Sequence, residues 1–240
     1  MTLFKEILEK LNQGLEGKHT DTKLHATINL PIVANNGKEL NLVYPDYGGE
    51  QLQVMLEQRE INAVWQNQIK NSDNWFLFIR LDLMENISDI TTKFYKMIEE
   101  EKVIPDPPPN NITTLSKGSA AFYVEMLQTF LFVKEVSQSD KRKPRLTILL
   151  SCWDKLKATK GAVPLEVLQK KMPLFANFIN SIWAKDQLQI MGLSSLGQDL
   201  SATKPDKKFA AKGPEEFGYI VMEDGKENED ITLVLNSLVA

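Results

Sequence analysis

The chain has very little cysteine and histidine. Its 240 residues include a single cysteine, Cys152, and two histidines, His19 and His25. One cysteine excludes an internal disulfide and is typical of a protein in a reducing cytoplasm. Because neither histidine has a metal-ligand neighbour at a useful spacing, a zinc site is not expected. No histidine-containing signature surrounds Cys152, so the sequence favours a buried thiol over a nucleophile.

A long hydrophobic run and an excess of positive charge are also missing. The longest apolar stretch, Ala120–Val133, is interrupted by Glu125 and Gln128, and it is too short and too polar to span a bilayer. No secretory signal is visible at the amino terminus. With 28 Lys and Arg against 32 Asp and Glu, the net charge is −4, which does not indicate a nucleic-acid partner. We therefore expect a soluble, cytoplasmic protein that binds neither nucleic acid nor a membrane.

The hydrophobic pattern predicts a single α/β domain over residues 1–240. Apolar and polar residues alternate over 24–33 and again over 39–44, and Asn36-Gly37 between them is typical of a hairpin turn. Residues 75–81 form a continuous apolar run, as expected of a parallel strand covered on both faces. Because helices alternate with such strands after the hairpin, we expect a doubly wound, mostly parallel sheet, to which the hairpin supplies one antiparallel edge strand.

Helical spacing and short apolar runs indicate the remaining elements. Prolines exclude a helix after residue 103 and indicate a loop insertion over 103–118, and the Lys- and Ala-rich stretch 200–214 is interpreted as a mobile loop. The predicted helices span 2–15, 51–71, 87–101, 119–136, 164–182 and 231–239, and the other predicted strands span 145–150, 188–193 and 217–222.

Three predicted strand ends carry polar residues that are candidates for ligand binding. In doubly wound sheets, ligands bind at the carboxyl ends of the strands. An Asp-x-x-Gly motif after a strand is by itself an ordinary turn, and it gains weight here because two further motifs follow it in order. The three motifs are Asp46-Tyr47-Gly48-Gly49-Glu50, Ser151-Cys152-Trp153-Asp154-Lys155 and Ser194-Ser195-Leu196.

In this order the motifs resemble those of Ras-like P-loop GTPases, and more narrowly those of the bacterial double-GTPase family of the TRAFAC clade. The similarity extends from about residue 24 to the end of the chain and includes Pro45, Met172-Pro173-Leu174 and Phe217-Gly218-Tyr219. It implies the P-loop NTPase fold, GTP or GDP with Mg²⁺ as ligands, and a role in bacterial conflict and antiviral defence. A protein partner, either a second GTPase or an effector, is implied as well.

The resemblance assigns the phosphate side of the site to the first motif. Asp46 stands where the family holds Mg²⁺, and Gly49 stands where a backbone amide meets the γ-phosphate. Glu50 takes the place of the glutamine that orients the attacking water. Its carboxylate could orient that water or act as a base, and it could equally be a helix-start residue favoured by the helix dipole.

The resemblance assigns the base side to the other two motifs. Asp154 stands where a carboxylate accepts hydrogen bonds from guanine N1 and N2, a task that suits a group that only accepts. The loop Ser194-Ser195-Leu196 stands where a backbone amide meets guanine O6. The family's Asn-Lys-x-Asp is here Ser151-Cys152-Trp153-Asp154, so its base-covering lysine is replaced. Trp153 or Lys155 could take over that task.

The largest departure from the family is that the sequence contains no Gly-x-x-x-x-Gly-Lys-Ser/Thr. That loop supplies the amides, the lysine charge and the hydroxyl that hold phosphates and Mg²⁺. The predicted helix 2–15 resembles the helix that follows the loop, so we expect the strand before it to be missing. Two hypotheses follow: a GTPase-like switch domain degenerate or truncated at this loop, and a pseudo-GTPase interaction module without turnover. A kinase or dehydrogenase is disfavoured, because Gly-x-Gly-x-x-Gly is absent too.

Overall fold

The computed structural model describes residues 2–17, 26–33, 37–46, 49–83, 119–137, 140, 143–156 and 161–235. These residues form a mixed α/β structure with seven α-helices and seven strands. The predicted helix 87–101 and the predicted loop insertion 103–118 lie outside this part of the chain. The α-helices are α1 Thr2–Asn12, α2 Gly49–Gln58, α3 Ala63–Asn71, α4 Ala120–Val133, α5 Pro164–Lys171, α6 Pro173–Ile182 and α7 Lys207–Lys212.

A five-stranded mixed sheet is the largest element of the fold. Its strands are β3 Asn74–Ile79, β4 Arg145–Ser151, β5 Leu188–Ser194, β6 Tyr219–Val221 and β7 Glu227–Asn228, in that spatial order. The first three are parallel to one another, whereas β6 and β7 are added antiparallel. The predicted parallel strands are thus present, and their carboxyl ends lie at one edge of the sheet.

The amino-terminal hairpin forms a second sheet of its own. Strands β1 Ala26–Val33 and β2 Glu39–Asp46 pair antiparallel along their whole length, and Gly37 has the positive φ of a tight turn, 81°. Asn36 lies outside the described residues. The prediction that the hairpin supplies the antiparallel edge of the main sheet was wrong. In the described structure β1 and β2 bond to each other only, and β6 and β7 form that edge.

The central strands β4 and β5 are largely buried on both faces, whereas Phe78 of the edge strand β3 is 51% exposed. Helices α4, α5 and α6 cover one face and enclose the larger core, whose centre includes the fully buried Ile148, Phe175 and Ile179. A smaller cluster on the other face contains Leu149, Met191 and Ile220, and Val234 packs against it. Burial on both faces explains why β4 is mostly apolar, with the buried Thr147 as the one polar residue between Leu146 and Leu150. None of the helices in the described part of the chain has the length and apolar character needed to cross a membrane.

Two predicted long helices are each divided in two. The first is interrupted between α2 and α3, where Arg59 has a φ of 53°, a conformation that a helix cannot contain. The second is interrupted at Met172 (φ −138°, ψ 63°), because the following Pro173 has no N–H to continue the helical hydrogen bonds. Predicting single helices over 51–71 and 164–182 was therefore wrong.

Two carboxy-terminal segments also differ from the prediction. The stretch 200–214 was interpreted as a loop, yet it contains α7, which begins because the Asp206 side chain accepts a hydrogen bond from the Phe209 N–H at 2.9 Å. Phe209 itself is fully buried. The predicted terminal helix is a short 3₁₀ helix over Ile231–Leu235, and residues 236–240 lie outside the described part.

Replacing Asn62 with alanine should lower the free energy of unfolding by about 1 kcal/mol. The Asn62 side chain caps α3 by accepting the Trp65 N–H at 3.0 Å, and alanine cannot make that hydrogen bond. Chemical unfolding followed by circular dichroism measures the change. Asn62→Ser is the control, because serine caps a helix about as well as asparagine. Equal stability of the alanine variant and the wild type would contradict this role.

Candidate functional site

The carboxyl ends of β4 and β5 bring two of the predicted site residues together. Ser151, the last residue of β4, pairs with Leu193 of β5, so the 3₁₀ turn Trp153–Leu156 lies beside the segment that follows Ser194. The Ser194 hydroxyl donates a hydrogen bond to Oδ1 of Asp154 at 2.5 Å. These two residues are separated by 40 positions in the sequence, and the parallel pairing of β4 and β5 is what makes them neighbours.

The loop after β5 holds the Ser194 hydroxyl in place. Ser194 is buried, with 1% of its surface exposed, and its Oγ accepts the Gly197 N–H at 3.0 Å. Gly197 has a φ of 66°, and a Cβ there would lie 2.3 Å from the carbonyl oxygen of Phe217, so this position requires glycine. Of the other predicted loop residues, Ser195 is exposed and Leu196 is half-buried. The Asp154 carboxylate is therefore fixed through one of its two oxygens.

Trp153 anchors the turn that carries Asp154. Its indole is buried, with 6% exposed, and it lies against Gly192 of β5, where a Cβ would be only 2.5 Å from Cδ2 of the ring. A side chain packed in this way is part of the core. Trp153 and Lys155 were both predicted as residues that could cover the base. Because Trp153 is buried, Lys155 is the remaining candidate.

Lys155 reaches across the edge of the sheet to the loop after β5. Its ammonium group lies 2.5 Å from Oδ1 of Asp199, with the two side chains 33% and 75% exposed. The hydrogen bond to Asp199 raises the pKa of Lys155 above its ordinary value. Because the pair is solvent-exposed, it contributes little to stability. It does keep the Lys155 side chain close to Asp154.

A family model described as Double-GTPase 1 matches residues 1–238. The chain belongs to the Double-GTPase 1 family. The match confirms the resemblance to double-GTPases and indicates a GTPase-like domain. Comparison with curated proteins and comparison with solved structures each give no match to this chain.

The phosphate-side residues of this Double-GTPase 1 chain remain predictions. Asp46 ends β2 in the separate hairpin and Gly49 begins α2, but the side chains of Asp46 and Glu50 lie outside the described residues. The predicted alignment of Asp46 with Asp154 and Ser194 along one sheet is not formed, because β2 is not a strand of that sheet. Within the part that the structure describes, no three His, Cys, Asp or Glu side chains group so as to hold a metal ion.

Sequence reasoning missed two charged residues at the same edge. Arg80 and Asp82 follow β3 and form a two-pronged ion pair, with Nε–Oδ1 at 3.2 Å and Nη2–Oδ2 at 2.7 Å. This hydrogen bonding raises the pKa of Arg80 and lowers the pKa of Asp82. Charged residues placed directly after an apolar strand were the available signal, and it was overlooked because residues 75–81 were interpreted only as a strand.

Cys152 is a free, half-buried cysteine just after the end of β4 in this Double-GTPase 1 chain. Its backbone adopts a φ of 55° at the point where the chain leaves β4, and its side chain is half-buried. Burial raises the pKa of the thiol above its ordinary value, so the nucleophilic thiolate is disfavoured near neutral pH. The Cys152 side chain is thus less buried than the sequence predicted. Ser151 beside it donates a hydrogen bond to the Ile79 carbonyl oxygen at 3.3 Å and so links β4 to β3.

Proposed function

We propose that this chain is a guanine-nucleotide-binding, GTPase-like domain on a Ras-like sheet, with its base site at Asp154 and Ser194. The observation that carries the proposal is the hydrogen bond from Ser194 to Oδ1 of Asp154, at the edge where β4 and β5 end. An ionised carboxylate offers about four acceptor positions on its two oxygens. Ser194 uses one of them, so both oxygens keep capacity for the paired N1–H and N2–H donors of guanine.

The neighbouring residues fit a planar base. Lys155 is held by Asp199, and the aliphatic part of a lysine side chain covers apolar surface while its charge stays in water. The backbone of the segment Ser194-Ser195-Leu196 would supply the amide for guanine O6. On the phosphate side, Asp46 would hold Mg²⁺, the Gly49 amide would bind the γ-phosphate, and Glu50 would orient the attacking water. When bound, Mg²⁺ supplies charge neutralisation for the phosphates.

The charges at this edge favour binding without turnover over a fully active GTPase. Two cationic side chains are described there, and both are already paired with carboxylates: Arg80 with Asp82, and Lys155 with Asp199. Neither replaces the lysine of the phosphate loop that the sequence lacks. The second candidate function is therefore a pseudo-GTPase that binds a protein partner, such as a second GTPase or an effector. A role in bacterial antiviral defence is proposed on the family resemblance alone.

Calorimetric titration of the chain with GTP and Mg²⁺ should show no tight binding. Each missing phosphate-loop contact is charge-assisted and worth roughly 1.5–3 kcal/mol. The loss of several contacts should therefore raise the dissociation constant above about 1 μM. At nucleotide concentrations of about 1 mM, ligand-detected NMR should still show saturable binding of GTP. GTP should bind more tightly than ATP.

The two measurements test different parts of the proposal. A submicromolar dissociation constant for GTP would contradict the argument from the missing loop. Equal binding of GTP and ATP, or no binding of either, would overturn the base site at Asp154.

A further inference from the structure

The loop after β5 is tied to the carboxy-terminal end of α1 by two backbone hydrogen bonds. The Asp206 N–H donates to the Gly14 carbonyl oxygen at 2.9 Å, and the Glu16 N–H donates to the Ser201 carbonyl oxygen at 3.1 Å. Gly14 has a φ of 69°, and a Cβ there would clash with the Asp206 carbonyl oxygen. The two backbones are therefore in direct contact, at a position that requires glycine.

The same loop is also tied to the proposed base site. We call residues 197–206 the strap. At its start, the Gly197 N–H donates to Oγ of Ser194 at 3.0 Å, and two residues later Asp199 pairs with Lys155 of the turn after β4. The strap therefore contacts the base site with its first residues and α1 with its later residues.

Side chains within the strap connect these two ends. The Gln198 side-chain amide donates to Oδ2 of Asp206 at 3.0 Å, and Oδ1 of Asp206 caps α7. The Ser201 hydroxyl accepts the N–H groups of Thr203 and Lys204 at 3.2 and 3.0 Å. Because of these bonds, a shift of the strap at the base site also affects its contacts with α1.

Burial in α1 is concentrated at its carboxy-terminal end. Over residues 5–13, all of which the structure describes, none of the side chains is buried, and Leu8 is 40% exposed. Buried positions begin at Gly14 and Leu15, where the chain meets the strap. An element with few buried contacts opens locally at a low free energy. The docking of α1 therefore depends on the strap more than on the rest of the helix.

We infer that α1 docking and base binding are linked through the strap. Base binding orders the strap beside Ser194 and Lys155, and α1 docking orders it at Ser201 and Asp206. Whichever occurs first lowers the ordering cost of the other. Such a linkage is reciprocal, so the base is bound more weakly when α1 is detached. This inference rests on the proposed function, because it adds a conformational response to the same site.

Hydrogen exchange in the presence of guanosine tests the linkage. Guanosine carries the base and no phosphate, so its effect on α1 has to pass through the base side of the site. With about 1 mM guanosine, the amides of residues 5–16 in the wild-type chain should exchange more slowly than without it, as measured by mass spectrometry. Adenosine at the same concentration is the ligand control and should leave this exchange unchanged.

Replacing Gly14 with alanine should release α1, because the new Cβ would clash with the backbone of the strap. Exchange over residues 5–16 should become faster, and the affinity for guanosine, measured by ligand-detected NMR, should fall about fivefold. Gly37→Ala is the matched control. Gly37 also has a positive φ, 81°, but a Cβ there would have no atom of the described structure within 4 Å. This variant should keep the wild-type exchange and affinity.

A second variant covers the case in which Gly14→Ala does not fold. Leu15→Ala removes a buried side chain at the same junction without a backbone clash. It should change the exchange over residues 5–16 and the guanosine affinity in the same directions as Gly14→Ala.

The outcomes separate the linkage from the proposed function. If guanosine does not bind the wild-type chain in preference to adenosine, the proposed function is overturned, and the linkage with it. If guanosine binds but the exchange of α1 does not change, the linkage alone is overturned. The same holds if the variants release α1 without losing affinity for guanosine, or if Gly37→Ala loses as much affinity as they do.

Discussion

Replacing Gly192 with alanine is expected to lower the free energy of unfolding by about 2–3 kcal/mol. The new Cβ would lie 2.5 Å from Cδ2 and 2.6 Å from Cε3 of Trp153. Neither side can move away easily. Gly192 pairs with Leu150 of β4 and with Val221 of β6, and the indole is buried in the main core. The clash would also displace the turn that begins at Trp153 and carries Asp154.

Urea unfolding followed by circular dichroism measures this effect. Gly17→Ala is the control, since the atoms nearest to its Cβ would belong to the flexible Ile7 side chain, at 3.3 Å, and this variant should change stability much less. Trp153→Leu removes the atoms that clash, so the double variant Gly192→Ala/Trp153→Leu should be less destabilised than the sum of the single variants. Additive effects would show that the two residues do not interact.

The parallel strands could be predicted because their sequences are dictated by burial on both faces. β4 and β5 are covered by helices on one side and by a second cluster on the other, so their sequences are mostly apolar. The hairpin was predictable from its alternation and turn. Its membership of a sheet was not, because sheet membership depends on contacts between distant segments that leave no local pattern.

The breaks in the helices show where local patterns mislead. Arg59 adopts a positive φ although nothing about arginine predicts this. Pro173 did carry a signal, but the apolar periodicity on either side of it was given more weight. In α7, the Asp206 cap and the buried Phe209 lie within a stretch of lysine and alanine, and the composition was taken to indicate a loop.

The site was predictable to the extent that it follows the order of the parallel strands. Asp154 and Ser194 come directly after β4 and at the end of β5, so their proximity follows from the parallel pairing of those strands. The contact of Lys155 with Asp199 joins the turn after β4 to the loop after β5, and it could not be obtained from spacing in the sequence.

Replacing Asp154 with asparagine should change which base the site selects. A carboxylate that faces guanine N1–H and N2–H has both donors paired with acceptors, whereas adenine has an unprotonated N1 and leaves the carboxylate desolvated without a partner. Such a mismatch costs about 1–3 kcal/mol, which is roughly tenfold discrimination or more. An amide both donates and accepts, so the variant should lose preference for GTP and bind XTP better, because xanthine carries a carbonyl at the 2-position.

Competition binding of GTP, ATP and XTP to the wild type and the variant measures this change. The fold should be retained, because the side-chain amide introduced by Asp154→Asn still offers a carbonyl oxygen to the Ser194 hydroxyl, which in the wild type bonds Oδ1 at 2.5 Å. Asp224→Asn is the matched control: it removes the same charge from an exposed residue that pairs with Lys226 and has no role in the proposed site, and it should leave the order of base preference unchanged. If Asp154→Asn also leaves that order unchanged, Asp154 is a structural partner of Ser194 and does not select the base.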